Sequence, residues 1–214
     1  MGLAHLRIEH SGLLIVLTVL AACGRIGSEL SREDPDYPVQ NPQPSRIVDI
    51  TGSISSTLDT QLIAWYTTER KQEGCTFSPS ALAAVNFPLQ VAVPLDIERT
   101  GDEFRTVVAV DRFLRGRCGW HFHSLVARIS KAGLTSMSTP VLRIPESYPG
   151  GVRESSFVNW QPTPVVRRCN FERGTPRTGE EWNFCIGRKG DKHEHVLRGD
   201  TRSLDLRILD AATR

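Results

Sequence analysis

Between Val91 and Asp111 the chain reads VAVPLDIERTGDEFRTVVAVD, apolar at every second position on both sides of a polar break. Val91, Val93, Leu95 and Ile97 alternate up to Thr100-Gly101-Asp102, and Phe104, Thr106, Val108 and Val110 alternate back. Side chains two apart share one face of a strand, so the pattern predicts a β-hairpin with one buried face. Pro94 brings no amide hydrogen to a ladder, which places its strand at a sheet edge.

The rest of the chain carries the same signal in shorter pieces. RIVDITGSI after Arg46, Trp120–Ile129, VLRI, FVNW, PVVRRCNFE, WNFCIGR and SLDLRIL (Ser203–Leu209) are strand candidates. QLIAWYTTER (Gln61–Arg70) is rich in aromatic and β-branched residues, although its apolar spacing also suits a helical turn. No stretch keeps a 3.6-residue period beyond two turns. Many short strands divided by turn residues predict an all-β domain over residues 46–210, a disulfide-stapled β-sandwich of Ig-like or transthyretin-like architecture.

Residues 1–22 read as an export signal. Met1 and Arg7 lie in a short polar start, and an apolar run from Leu13 to Ala22 follows. That run is about half of the roughly 20 residues a membrane-spanning helix needs. It ends in Leu20-Ala21-Ala22-Cys23, which resembles the lipobox of bacterial lipoproteins. The resemblance implies cleavage before Cys23 and a diacylglycerol on its thiol. At about 0.8 kcal/mol for each buried methylene, two or three acyl chains anchor a protein stably. Gly24, where an aspartate would imply inner-membrane retention, leans the expectation towards the periplasmic face of the outer membrane. Residues 23–45, with four prolines and little apolar content, read as a semi-rigid tether.

With Cys23 spent on lipid, Cys75, Cys118, Cys169 and Cys185 remain, and an even number in an exported chain reads as two disulfides. Of three connectivities, Cys75–Cys118 and Cys169–Cys185 are favoured. The second pair flanks RGTPRTGEEW, a turn-rich connection between two β-like runs, and the first pair sits at the loop edges QEGCTF and RGRCGW.

The formal charge of +2 argues against bulk nucleic-acid binding, which favours a strongly basic face. Arginine supplies 22 of the 26 basic residues. In DRFLRGRCGW, Asp111 ends a strand, Gly116 and Gly119 permit a sharp turn, Cys118 pins it and Trp120 enters the core. Arg112, Arg115 and Arg117 would then form a rim able to dock an acidic partner. A solvated surface loop is the competing reading.

Two His-x-His pairs, His121/His123 and His193/His195, each place two imidazoles on one strand face. If the strands met, four nitrogens would converge on zinc, copper, iron or nickel; otherwise the four are satisfied by hydrogen bonds or water. On the Trp120–Ile129 strand His121 and His123 are expected to share the face of Leu125, Ala127 and Ile129. No G-x-S-x-G, G-x-x-x-x-G-K-[ST], H-E-x-x-H or G-x-G-x-x-G occurs. Three classes of function stand at this point. One is a non-catalytic binding or structural module of the cell envelope, with a protein partner there. Another is an immunity-type lipoprotein neutralising a secreted toxin, or a secretion-apparatus lipoprotein. The third is a metal-binding protein; no cofactor other than that metal is expected.

Overall fold

The structure, a computed structural model, describes residues 28–69, 74–79, 86–132, 134, 136–143, 158–159, 164–172, 182–186, 194–196 and 201–212. The export signal, the lipobox and Cys23 lie outside the described residues, as does His193. Among the described residues there are fourteen strands and no helix. They are β1 (Ile47–Ile54), β2 (Leu58–Thr67), β3 (Thr76–Phe77), β4 (Phe87–Pro88), β5 (Gln90–Pro94), β6 (Glu98–Thr100) and β7 (Glu103–Ala109). The second half adds β8 (His121–Lys131), β9 (Met137–Arg143), β10 (Val158–Asn159), β11 (Val165–Glu172), β12 (Trp182–Ile186), β13 (Glu194–His195) and β14 (Ser203–Asp210).

Two sheets make a disulfide-stapled β-sandwich. One has six strands in the order β12-β11-β14-β1-β7-β6, the other four in the order β5-β2-β8-β9. Their inner faces share one core: Val48, Ile50, Val108, Leu206 and Ile208 from the first, Leu62, Ala64, Tyr66, Phe122, Leu125 and Ile129 from the second. The alternation of apolar residues produces this directly, since each strand turns every second side chain inward. The last strand, β14, is inserted between β1 and β11 and runs parallel to both. Both sheets of an immunoglobulin domain are antiparallel, so β14 is the departure from that pattern. Gln61–Thr67, ambiguous by spacing, is strand throughout.

Both expected disulfides form. Cys169 and Cys185 face each other in the β11–β12 register. Cys75 and Cys118 join segments 43 residues apart. The RGTPRTGEE connection falls outside the described residues.

Three expectations are corrected. The hairpin around Gly101 is short: only β6 pairs with β7, and β5 belongs to the other sheet, antiparallel to β2. The chain leaves β2 after Pro94, which has no hydrogen to give, and crosses the gap between the sheets through Leu95–Ile97. Leu95 still donates its amide to Leu62 O, and Asp96 O already accepts from Thr106 Oγ1 on β7. Pro94 does lie on an edge strand, as expected.

Second, the tether is part of the body from Ser28 onward. Leu30 is buried in the core, and the Ser28–Leu30 segment trades backbone hydrogen bonds with Gln90, covering the start of the β5 edge. Farther along, Tyr37 packs edge-on against Phe113, and Asn41 Nδ2 donates to Asp111 O. A few well-placed apolar groups suffice to hold an otherwise polar, proline-rich segment against an exposed strand edge.

Third, the histidines of β8 do not share the core face. Trp65 pairs with Ser124 but Tyr66 with Phe122, so His123 is the extra residue of a β-bulge. The bulge shifts the alternation, and Phe122 joins Leu125, Ala127 and Ile129 inside.

At the end of the sandwich away from Cys118, Asp210 closes the two sheets. Its carboxylate, only 2% exposed, accepts from Lys131 Nζ at 2.7 Å and Thr57 Oγ1 at 2.7 Å. Burial alone would raise this carboxyl's pKa, but those donors and the Ala212 amide outweigh it and hold the pKa low. A group depressed in the folded state stabilises the fold above its unfolded value and loses that contribution as acid protonates it. Stability is therefore expected to be flat above about pH 5 and to fall below about pH 4, the ordinary aspartate value. Asp210→Asn should flatten that acid limb and lower stability by about 2 kcal/mol at neutral pH, because Lys131 is left half-buried without its anion. Urea midpoints measured against pH for both proteins check this.

Candidate functional site

Residues 110–122 build the candidate site at the end of the sandwich where β7 stops and β8 begins. An aromatic floor comes first. Tyr66 donates its hydroxyl to Ala109 O at 2.6 Å and meets Phe113 and Phe122 edge-on, with ring centroids 4.9 and 5.6 Å away. Its burial pushes the phenol pKa upward, so it stays a neutral donor. Trp120 is buried beside this floor.

Over the floor runs the loop Asp111–Gly119. Asp111 fastens its start, accepting from the Ser45 amide (2.8 Å), the Ser45 hydroxyl (2.9 Å) and the Arg46 amide (3.0 Å). Burial works against this carboxylate, but the three donors prevail and its pKa is lowered. Gly116 and Gly119, with φ of 51° and 63°, make the turn that L side chains resist. Cys118 is bonded to Cys75, Trp120 donates its amide to Arg115 O, and Glu69 donates its amide to Cys118 O. Leu114 donates its amide to Val39 O, so the docked N-terminal arm braces the loop tip.

Two cavities have loop residues in their lining. One, of about 310 Å³, is lined by Arg46, Glu69, Asp111, Arg115, Trp120 and His121 among others. Here Arg115 is ion-paired with Glu69. His121 Nδ1 lies 2.9 Å from Gly119 O, a carbonyl that can only accept, so Nδ1 carries a hydrogen. The other, of about 590 Å³, opens between the arm and the sandwich and is lined by Glu29, Arg32, Tyr37, Asp96, Val107 and Arg112.

The three arginines therefore do not form one rim. Arg112 is half-buried on the side of the larger cavity, its guanidinium 6.0 Å from the Phe113 ring centre. Arg115 and Arg117 are exposed on the loop, and Arg117 passes over Gly74, where a Cβ would come within 3.3 Å of Nη1. Arg117 makes no ion pair among the described residues. Beside these two cations, Leu114 and Val39 are exposed to 46% and 68%, unusual for large apolar side chains. The pairing of Val39 with Leu114 was not foreseen from the sequence, because 75 residues separate them.

The four histidines are not brought together by what is described. His121 and His123 are half-buried on β8, His195 lies on β13, paired with β10, and His193 is outside the described residues. Among the described residues no three His, Cys, Asp or Glu side chains converge as a metal-ligand set. No described helix is long and apolar enough to cross a membrane. Compared with protein-family models, curated proteins and solved structures, the chain matches none of them.

Gly119 offers a local test of this geometry. A Cβ there would lie 2.7 Å from Glu69 Cδ, on a backbone whose φ of 63° already disfavours it. Gly119→Ala is expected to push Glu69 off Arg115 and to cost about 1–2 kcal/mol. Urea unfolding gives the magnitude, and nitrogen-15 shifts of the Arg115 guanidinium report the broken pair.

Proposed function

We propose that this chain is a lipid-anchored, non-catalytic binding module of the cell envelope. In this reading it is exported by residues 1–22, attached through Cys23 to the periplasmic face of the outer membrane, and engages an acidic surface with its stapled loop. The observation that carries the proposal is the loop itself. Leu114, Arg115 and Arg117 stand exposed on a backbone braced by a disulfide, two positive-φ glycines and the N-terminal arm. A preformed backbone does not have to be ordered on binding, so more of the contact energy is kept as affinity. Asp111 is committed to Ser45 and Arg46, and Glu69 pairs with exposed Arg115, which would exchange it for the acidic surface. That favours recognition over acid–base chemistry at this end.

Labelled palmitate tests the anchor. The wild-type chain should take up label and fractionate with membranes, whereas Cys23→Ser should do neither. A Cys23→Ser chain that still incorporated palmitate would sink the lipobox reading.

A further inference from the structure

The membrane-facing end of this protein follows from how little chain is left between Cys23 and the first docked residue. Ser28 accepts the Gln90 amide at 2.7 Å, and Leu30 is buried two residues later. Only Gly24, Arg25, Ile26 and Gly27 intervene. Whatever their conformation, five Cα–Cα steps reach at most about 18 Å. A folded body of this size is about 40 Å across. The end that carries Ser28 is thus held near any lipid on Cys23, and the opposite end is out of reach.

Strand register says which end that is. Gln90 pairs with Thr67 on β2, and Thr67 pairs with His121 on β8, immediately after the stapled loop. Strands are spaced about 4.8 Å apart, so Gln90 and the root of the loop are about 10 Å apart. Leu89 donates its amide to Cys75 O, which puts Phe87, 46% exposed, beside the same disulfide. Among the described residues, three of the four exposed large apolar side chains (Val39, Phe87 and Leu114) therefore lie at the end nearest the anchor, together with exposed Arg115 and Arg117. The Gly101–Asp102 turn marks the other end, about 20 Å away along β7.

From this we infer that Val39, Phe87, Leu114, Arg115 and Arg117 form a membrane-contact surface, the acidic surface it meets being the anionic headgroups of the leaflet that carries the chain's own lipid. The inference rests on lipidation at Cys23. Exposed apolar side chains flanked by arginine suit an interface, where the apolar groups enter the acyl boundary and the cations are drawn to anionic headgroups. The lipid supplies proximity and the patch supplies orientation, a two-point attachment that leaves the Asp102 end pointing away.

Photo-crosslinking of the full lipidated chain, reconstituted in phosphatidylcholine vesicles with and without phosphatidylglycerol, tests this. A benzophenone amino acid replaces Leu114 in one chain and Asp102 in another. The expected result is phospholipid adducts at position 114, roughly tenfold more than at 102, dropping several-fold without the anionic lipid or in Arg115→Ala/Arg117→Ala, with Arg117→Ala alone giving most of that drop because Arg115 has to exchange Glu69 for a headgroup. Equal yields at the two positions, or an adduct at 114 only with protein when envelope extract is added, would overturn the orientation. Palmitate labelling of the same samples separates the two readings. Labelled chain without lipid adducts at 114 overturns the contact surface alone, and unlabelled chain overturns the anchor on which it rests.

Discussion

Gly52→Ala should be among the most damaging single substitutions in this protein, lowering stability by about 4 kcal/mol, in the range where only a few named mechanisms operate. Gly52 sits in the middle of β1, opposite Leu206 on β14 and Phe104 on β7. Its φ is 152°, and a Cβ there would lie 1.9 Å from Leu206 O and 2.7 Å from Leu206 C. The obstacle is backbone, so no rotamer change relieves it. β1 and β14 must part at the centre of the six-stranded sheet, giving up ladder hydrogen bonds worth about 1 kcal/mol each. In a domain of this size the melting temperature should fall by about 10–15 °C. Gly101→Ala is the control: φ is 62°, but nothing lies within 4 Å of the added Cβ. Conformational preference alone should then cost about 1 kcal/mol. If the two variants lost equal stability, close approach of β14 would not be what requires Gly52.

That glycine also shows where sequence reading stops. A lone glycine inside RIVDITGSI signals close backbone approach or a bulge in general terms, but the approaching strand is β14, about 150 residues later. Period-two alternation identified most of the longer strands, because burial on one face of a sheet leaves that mark in every strand. It could not tell one long strand from two. Val91–Ile97 alternates without interruption because both sheets bury their side chains in the same core, so a chain that changes sheets at Pro94 keeps its phase. The inserted residue at His123 had the opposite effect: an uninterrupted count of twos put the histidines on the core face, and one unpaired position put Phe122 there instead. At the candidate site the turn glycines, Cys118 and buried Trp120 were legible, since each is a local requirement of a tight, pinned loop. The arm was not. Leu30 and Tyr37 are two apolar residues in a polar, proline-rich stretch, and only the edge of β5 and the ring of Phe113 give them a partner.

Removing the Cys75–Cys118 bridge with the double variant Cys75→Ala/Cys118→Ala should lower stability by about 4 kcal/mol, the denatured-chain entropy released when a closed loop of this length is opened. The bridge joins residues 43 apart, and Cys169–Cys185 joins residues 16 apart. The same loop-closure reasoning gives the second bridge about 3 kcal/mol, so the order of the two losses is a prediction in itself. Equilibrium unfolding in urea, with the slope m compared between variants, separates this from a change in denatured-state compactness. A larger loss for Cys169→Ala/Cys185→Ala would mean that packing around that pair, where Met137 Sδ lies 3.1 Å from Cys185 Sγ, outweighs loop closure. The first variant should also loosen the site in a way the second does not. Trp120 to Arg115 O, Glu69 to Cys118 O and Leu114 to Val39 O would be left to hold the loop alone, and hydrogen exchange at those three amides should quicken. A loop freed in this way would have to be ordered again on contact, so phospholipid adducts at position 114 should decline even where the chain remains folded and fully palmitoylated.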